Sequence, residues 1–188
     1  MKTKLLACLL LTGLFAACDK APRQPAAADL YAEAMKELQA AKTPDDRFVR
    51  LNAAIKEAVN AGKDAEAMAF IEEQAGLLAQ YKDNWNYGNA VQDINQGLGR
   101  LALRAGRVEE AEKYLLESAR HKGSPQLLSY GPNMRLAQEL LEKGRKDAVL
   151  KYFELCGKFW SLDKGRLKWW AEEVRAGKSP DFGGNLDY

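Results

Sequence analysis

Side chains able to do covalent or metal chemistry are scarce in this chain. It has one histidine, His121, and three cysteines, Cys8, Cys18 and Cys156. One imidazole with one or two thiols falls short of the four ligands that a structural zinc site takes. His121 stands beside Lys122 and Gly123 at the end of a helical pattern, where a cation complements the negative end of the helix. The acidic pairs Glu72-Glu73, Glu109-Glu110 and Glu172-Glu173 lie among charges of both signs. Paired carboxylates do acid–base work where their surroundings push their proton affinities apart, and mixed-charge surroundings read as a solvated helix face instead. The inventory predicts a protein that is not an enzyme and holds no metal and no cofactor. The chemistry that remains is at Cys18.

Cys18 lies in the stretch LFAACDK, residues 14–20. The chain starts Met-Lys-Thr-Lys, two positive charges, and continues LLACLLLTGLFAA, thirteen residues without a charge. A helix that spans a bilayer needs about 20 apolar residues, whereas a basic start and a shorter apolar run are the pattern of an export signal. With Ala16 and Ala17 directly before the cysteine, the stretch resembles the processing box of bacterial lipoproteins, although Phe15 stands where that family usually has Leu. The resemblance implies that residues 1–17 leave as a signal peptide. Cys18 then becomes the first residue, with a diacylglycerol on its sulfur and an acyl chain on its amine. The other readings are an ordinary cleaved signal, which leaves Cys18 a passive thiol, and an uncleaved anchor. Two or three acyl chains hold a protein to a bilayer where one holds it only marginally. Asp19 resembles the residue that retains lipoproteins in the inner membrane of enteric bacteria. The expected location is therefore the bacterial cell envelope, lipid-anchored and facing the periplasm, with the inner membrane favoured over the outer.

Loss of residues 1–17 removes Cys8 and leaves Cys156 alone in an apolar pattern, as a small core residue. It also removes Lys2 and Lys4, so the 28 basic residues fall to 26 and equal the 26 acidic ones. A chain so balanced has no electrostatic footprint for nucleic acid, and no nucleic-acid partner is expected.

The elements that would position any site follow a period of 3.6 residues. Residues 18–28 form a flexible tether, and its DKAPRQPAAA run has two prolines and little to bury. A helical domain is expected over 29–178 and a tail over 179–188. Thr43 followed by Pro44, Asp45 and Asp46 reads as a helix start, and Gly62, Gly106, Gly144 and Gly177 read as helix stops. KDNWNYGN, residues 82–89, reads as a loop, and Pro132 reads as a helix opener. The pattern predicts about eight helices and no strand, an all-α fold. Phe182, Leu186 and Tyr188 are apolar anchors in a Gly-rich tail, which is expected to fold back and cap the last helices. Trp169 lies off the core stripe of the last helix and is expected to pack under that tail, the other reading being an exposed anchor for a partner.

Aligning the glycines exposes a repeat. GKDAEAMAFIEEQ (62–74), GRVEEAEKYLLES (106–118) and GRKDAVLKYFELC (144–156) share Gly, basic, then acidic residues. A small or branched residue comes next at Ala67, Ala111 and Val149, and then an apolar pair at Phe70-Ile71, Tyr114-Leu115 and Tyr152-Phe153. Each segment is the second helix of a pair. The middle unit resembles a tetratricopeptide repeat, with Leu98-Gly99, Ala111, Leu115 and Pro125 at the motif's places. The spacings of 44 and 38 residues exceed that family's regular 34. The C-terminal segments ELLEKGRKDAVLKYFELCGKFW and GRLKWWAEEVRAGKSPDFGGNLDY also resemble the C-termini of other bacterial proteins.

The tetratricopeptide resemblance implies a stack of antiparallel helix pairs whose first helices line a groove. In that register the groove would display Asn52, Lys56, Asn60, Asp93, Gln96, Arg100, Arg104, Met134, Gln138 and Glu142. Some relatives use such side chains to hold peptide amides and a terminal carboxylate. The function implied is a protein-binding adaptor or assembly scaffold whose partner is another envelope protein or a peptide segment of one. The alternative is an immunity or inhibitor lipoprotein that neutralises a toxin or a cell-wall hydrolase. Asp181-Phe182-Gly183 spells the magnesium-binding tripeptide of protein kinases, but no Gly-rich loop or catalytic loop accompanies it. If Cys18 carries the lipid, Cys18→Ser abolishes metabolic labelling by a fatty-acid analogue; undiminished labelling of that variant removes the anchor.

Overall fold

The structure is a computed structural model that describes residues 26–187. The expected signal segment 1–17, the expected lipidation site Cys18 and most of the expected tether lie outside the described residues. Nine α-helices are described: α1 (Ala27–Gln39), α2 (Pro44–Asn60), α3 (Asp64–Leu77), α4 (Tyr87–Arg104), α5 (Val108–Glu117), α6 (Pro125–Ser129), α7 (Arg135–Glu142), α8 (Lys146–Cys156) and α9 (Arg166–Arg175). A 3-10 turn, η1 (Gly183–Leu186), comes after them in the tail. The fold is all-α, with no strand among the described residues. No helix among them is long and apolar enough to cross a membrane.

Three links of three residues join α2 to α3, α4 to α5 and α7 to α8, and all three are built the same way. The middle residue is a glycine at positive φ: Gly62 at 70°, Gly106 at 76° and Gly144 at 76°. The N–H of the next residue reaches back to the fifth residue before it: Lys63 to the Ala58 carbonyl at 2.9 Å, Arg107 to Ala102 at 2.9 Å and Arg145 to Leu140 at 3.0 Å. These bonds satisfy carbonyls that the helix end would otherwise leave open. A Cβ on any of the three glycines would meet no atom within 4 Å, so the left-handed backbone, not crowding, calls for glycine there. Links this short make antiparallel neighbours.

The pairs stack in order. α2 packs on α1, α3 and α4, α4 on α5 and α7, and α5 on α7 and α8. The close approach falls at Gly99, where a Cβ would lie 2.2 Å from a δ-methyl of Leu136 on α7 and 3.3 Å from the Tyr114 Cβ on α5. One small residue thus admits both its own partner helix and the next unit. Ala111 and Val149, at the repeat's small position, are fully buried. The largest core cluster joins α5, α7, α8 and α9 through Leu115, Leu136, Leu140, Tyr152, Phe153 and Trp170. A second unites α2, α3 and α4 through Ile55, Val59, Ile71 and Ile94.

Three sequence expectations are corrected. The helix beyond the predicted eight is α6, opened by Pro125 under a Ser124 cap whose Oγ accepts from the Leu127 N–H at 3.0 Å. Pro132 opens nothing; α7 starts three residues later at Arg135, whose N–H is taken by the Asn133 side chain at 2.8 Å. Trp169 is 48% exposed. Its neighbour Trp170 takes the tail instead: its ring stands edge-on to Phe182 at 5.0 Å and its Nε1–H donates to the Asp181 carbonyl at 3.2 Å.

Two glycine substitutions of the same kind should therefore act in opposite directions. Gly76→Ala, in α3 with open space around it, gains the helix propensity of alanine, about 0.5–1 kcal/mol. Gly99→Ala forces a methyl into the buried Leu136 and loses about 1–2 kcal/mol net. Urea unfolding of the two variants measures the difference.

Candidate functional site

The polar faces of α2 and α4 lie side by side. On α2, Asn52, Lys56 and Asn60 recur every four residues, and on α4, Asn89, Asp93, Gln96 and Arg100 recur at spacings of four, three and four. Residues three or four apart share one helix face. Between the two faces runs a cleft with two cavities. The larger, about 360 Å³, is walled by Asn52, Ala53, Asn89, Gln92, Gln126 and Tyr130 among others. The smaller, about 20 Å³, lies against Val59, Asn60, Gln96, Gly97, Arg100 and Arg135. Lys56 and Asp93 border both.

A chain of side-chain amides crosses the wall of the larger cavity. Gln74 on α3 donates to the Asn52 Oδ1 at 2.6 Å, and Asn86, just before α4, donates to the same oxygen at 3.1 Å. Asn89 donates to the Asn86 Oδ1 at 2.9 Å and also to the Gln126 Oε1 on α6. Ser124 Oγ donates to the Asn89 Oδ1 at 2.6 Å. Helices α2, α3, α4 and α6 are thus stitched by side-chain amides.

Asp93 is the charged group at the cleft floor. Its surface is part-buried, but protein atoms crowd it, and that desolvation pushes its carboxyl up to about 7 against the pull of Lys56 and a hydrogen bond from Asn52. Arg100 is held in place by Glu139, at 2.9 Å from its Nε, and by the Asn60 Oδ1, at 2.7 Å from its Nη1. Burial lowers its proton affinity while Glu139 restores part of it.

The tail enters this cleft. Asn185 is 2% exposed, and its amide donates to the Tyr130 carbonyl at 3.1 Å and the Pro132 carbonyl at 2.9 Å. Its own carbonyl accepts the Met134 N–H at 2.8 Å. Beyond it, Leu186 lines the smaller cavity and Asp187 the larger. Lys56 Nζ donates to the Asp187 carbonyl at 2.9 Å, and Arg135 pairs with its carboxylate at 3.4 Å.

Of the sequence-predicted groove residues, Asn52, Lys56, Asn60, Asp93, Gln96 and Arg100 come together in the cleft. Gln96 is a strut within it. It is buried, donates to the Asn133 carbonyl at 3.2 Å and to Tyr152 Oη at 3.3 Å, and accepts from the Leu136 N–H at 3.4 Å. Arg104, Met134, Gln138 and Glu142 border neither cavity. Arg104 binds Asp64 and the Val59 carbonyl, and ties the end of α4 to the α2–α3 link. Met134 is fully buried in the core beneath the cleft. Gln138 and Glu142 lie further along α7, the latter exposed at its last turn. Sequence reasoning misses Asn89, Gln92, Arg135 and the tail residues. It places Asn89 in a loop, yet α4 begins at Tyr87, and the four-residue spacing continued back from Asp93 lands on Asn89.

His121 and Cys156 lie apart from the cleft. α5 ends at Glu117, so His121 caps no helix end as a cation. Its ring packs on Phe159 at 4.6 Å, its Nδ1 accepts the Gly123 N–H at 2.9 Å, and burial lowers its basicity to about 4. Cys156 is fully buried, and burial pushes its thiol well up. No group of three or more His, Cys, Asp or Glu side chains that could hold a metal ion occurs among the described residues. Compared with protein-family models, with curated proteins and with solved structures, the chain matches none.

The raised proton affinity of Asp93 has a consequence for stability. In the unfolded chain this carboxyl ionises near 3.8, in the folded chain near 7. The folded state holds the proton more tightly, so stability falls as pH rises between those values and levels off above 7. Asp93→Asn removes the charge and keeps the shape. Its stabilisation is small at pH 4, grows through pH 7, and reaches on the order of a few kcal/mol at pH 8, as thermal unfolding across that range would report.

Proposed function

We propose that this chain is a membrane-anchored, periplasm-facing lipoprotein that works as a protein-binding adaptor or assembly scaffold, with the α2–α4 cleft as its binding surface. The observation that carries the reading is the cleft itself: a concave surface formed by the first helices of successive pairs, lined with amides and charges that suit main-chain recognition. Helix-pair stacks offer their inner helices as extended binding faces. The likeness of the three Gly-capped links to one another supports a tetratricopeptide-like repeat. The partner fitting this surface is a segment of another envelope protein, brought within reach by the lipid on Cys18.

The inhibitor reading draws on a different surface. Trp169 on α9 and Leu162 before it are 48% and 50% exposed, and an exposed tryptophan is the type of residue that anchors a protein in a partner's pocket.

A photo-crosslinking amino acid at Ala53, exposed and bordering the larger cavity, separates these readings from one at Ala65 on α3 and one at Trp169. The adaptor reading expects a discrete envelope-protein adduct from position 53, lost with Lys56→Glu, and none from position 65. An adduct only from position 169 transfers the function to the inhibitor face. Charge reversal at Arg100 or Arg104 is the poorer probe, since both arginines brace the fold.

A further inference from the structure

The tail is held in two grades. Up to Asn185 it is part of the core: Phe182 is 2% exposed against Trp170 and Phe153, and Asn185 is buried with three hydrogen bonds to residues 130–134. After Asn185 the hold loosens abruptly. Leu186 is half-buried, and the Asp187 side chain is 78% exposed where it meets Arg135 at 3.4 Å. An exposed pair of this kind contributes about 0–1 kcal/mol. Leu186 packs only on the edge of the core cluster and the Asp187 carbonyl takes Lys56, so these two residues lift from the cleft at a smaller cost than Asn185 and the residues before it.

Those two residues divide the cleft. Leu186 stands at the smaller cavity and Asp187 at the larger, and Lys56 and Asp93 border both. With the pair lifted, the two cavities, which share Lys56 and Asp93, would lie open to one ligand. Arg135 then loses Asp187, the carboxylate it pairs with at 3.4 Å. Lys56 loses the Asp187 carbonyl and keeps Glu57, 3.2 Å away. Arg100 remains neutralised by Glu139. The acid facing these cations at the floor is Asp93, which burial keeps partly protonated near neutral pH. The vacated groove thus lacks the carboxylate that Arg135 meets while the tail is in place. Its contacts with the tail specify a chemistry: an apolar side chain beside Val59 and Gly97, a main-chain carbonyl for Lys56, and a carboxylate for Arg135.

We infer that Leu186–Asp187 is a displaceable stand-in for the partner, and that the partner segment is an acidic peptide whose apolar residue is followed by Asp or Glu and which takes over Lys56 and Arg135. The inference rests on the groove reading proposed for the function and adds to it the class of ligand and a built-in competitor. A tethered competitor acts at an effective concentration on the order of 1 mM, which weakens a free peptide with a dissociation constant of about 100 µM by about tenfold.

The test uses a fluorescent peptide, Gly-Gly-Asn-Leu-Asp-Tyr, and the full chain with Leu186→Gly plus Asp187→Gly. Polarisation should show the peptide binding this variant about tenfold more tightly than the parent chain. Replacing the peptide's Asp by Asn, adding Arg135→Gln to the variant, or raising the salt should each remove most of that gain. If the double variant is unstable, Asp187→Lys serves instead, because it sets a cation against Lys56 and Arg135 at an exposed position and releases the tail by repulsion. The inference is overturned if variants with the parent's unfolding midpoint bind the peptide no better than the parent, or bind the Asn peptide equally well. Its failure differs from that of the groove reading: a partner that crosslinks at position 53 without competition from the peptide keeps the groove and removes the acidic stand-in. Peptide binding without any such adduct does the reverse.

Discussion

Everything about this cleft depends on chain reversal within three residues. A helix can turn back on itself over so short a link only if one residue takes the left-handed backbone, and glycine does so without a Cβ penalty. Gly62, Gly106 and Gly144 supply that turn with the same bond from the next N–H to a carbonyl five residues back. The repetition matters more than any single cap. The same reversal lays the two helices of each pair antiparallel, and α2 and α4 then pack side by side. Gly99 then sets the spacing by letting α7 close against α4 and α5.

Once the helices are placed, the cleft wall is held by polar side chains that bridge elements. Gln92 and Gln96 of α4 fix the 131–134 connection: Gln92 accepts the Asn133 N–H at 2.8 Å and Gln96 donates to the Asn133 carbonyl. Tyr152 of α8 donates to that same carbonyl at 2.8 Å. Asn185 closes the connection from the other side. A buried amide left without partners costs about 1–3 kcal/mol, so these groups specify one arrangement of the loop, and through it the position of Arg135.

How much of this is legible in the sequence depends on the range of each interaction. Caps and stripes are local, and the glycine stops, the Thr43–Pro44 start and the paired helices are all readable from spacing. The polar faces of α2 and α4 are readable too, because a helix face is set by period alone; Asn52, Lys56, Asp93 and Arg100 line the two cavities. Sequence reasoning fails where a distant segment decides. Met134 sits on the helix stripe yet is buried, because the tail and α8 cover that end. Pro125 and Pro132 offer equal local signals for a helix start, and the contest is settled by Gln92, Gln96 and Asn185, which hold residues 131–134 out of the helix. Trp169 and Trp170 are adjacent and chemically alike, and which of them buries depends on where Phe182 arrives. None of these contacts has a period.

Asp93 carries a cost to folding within the cleft. A carboxylate at a crowded floor destabilises the fold whenever it ionises, and Asn would fill the same space without that cost. Under the proposed function, a groove that discriminates among charged segments gives a reason to keep an acid there. Charge is placed unevenly along the cleft: Arg135 lines the smaller cavity, while Asn52 and Asn89 line the larger. The tail obeys that polarity: its carboxylate points to Arg135 while Lys56 takes its neutral carbonyl. Register along the groove, and not affinity alone, is what such a charge arrangement controls.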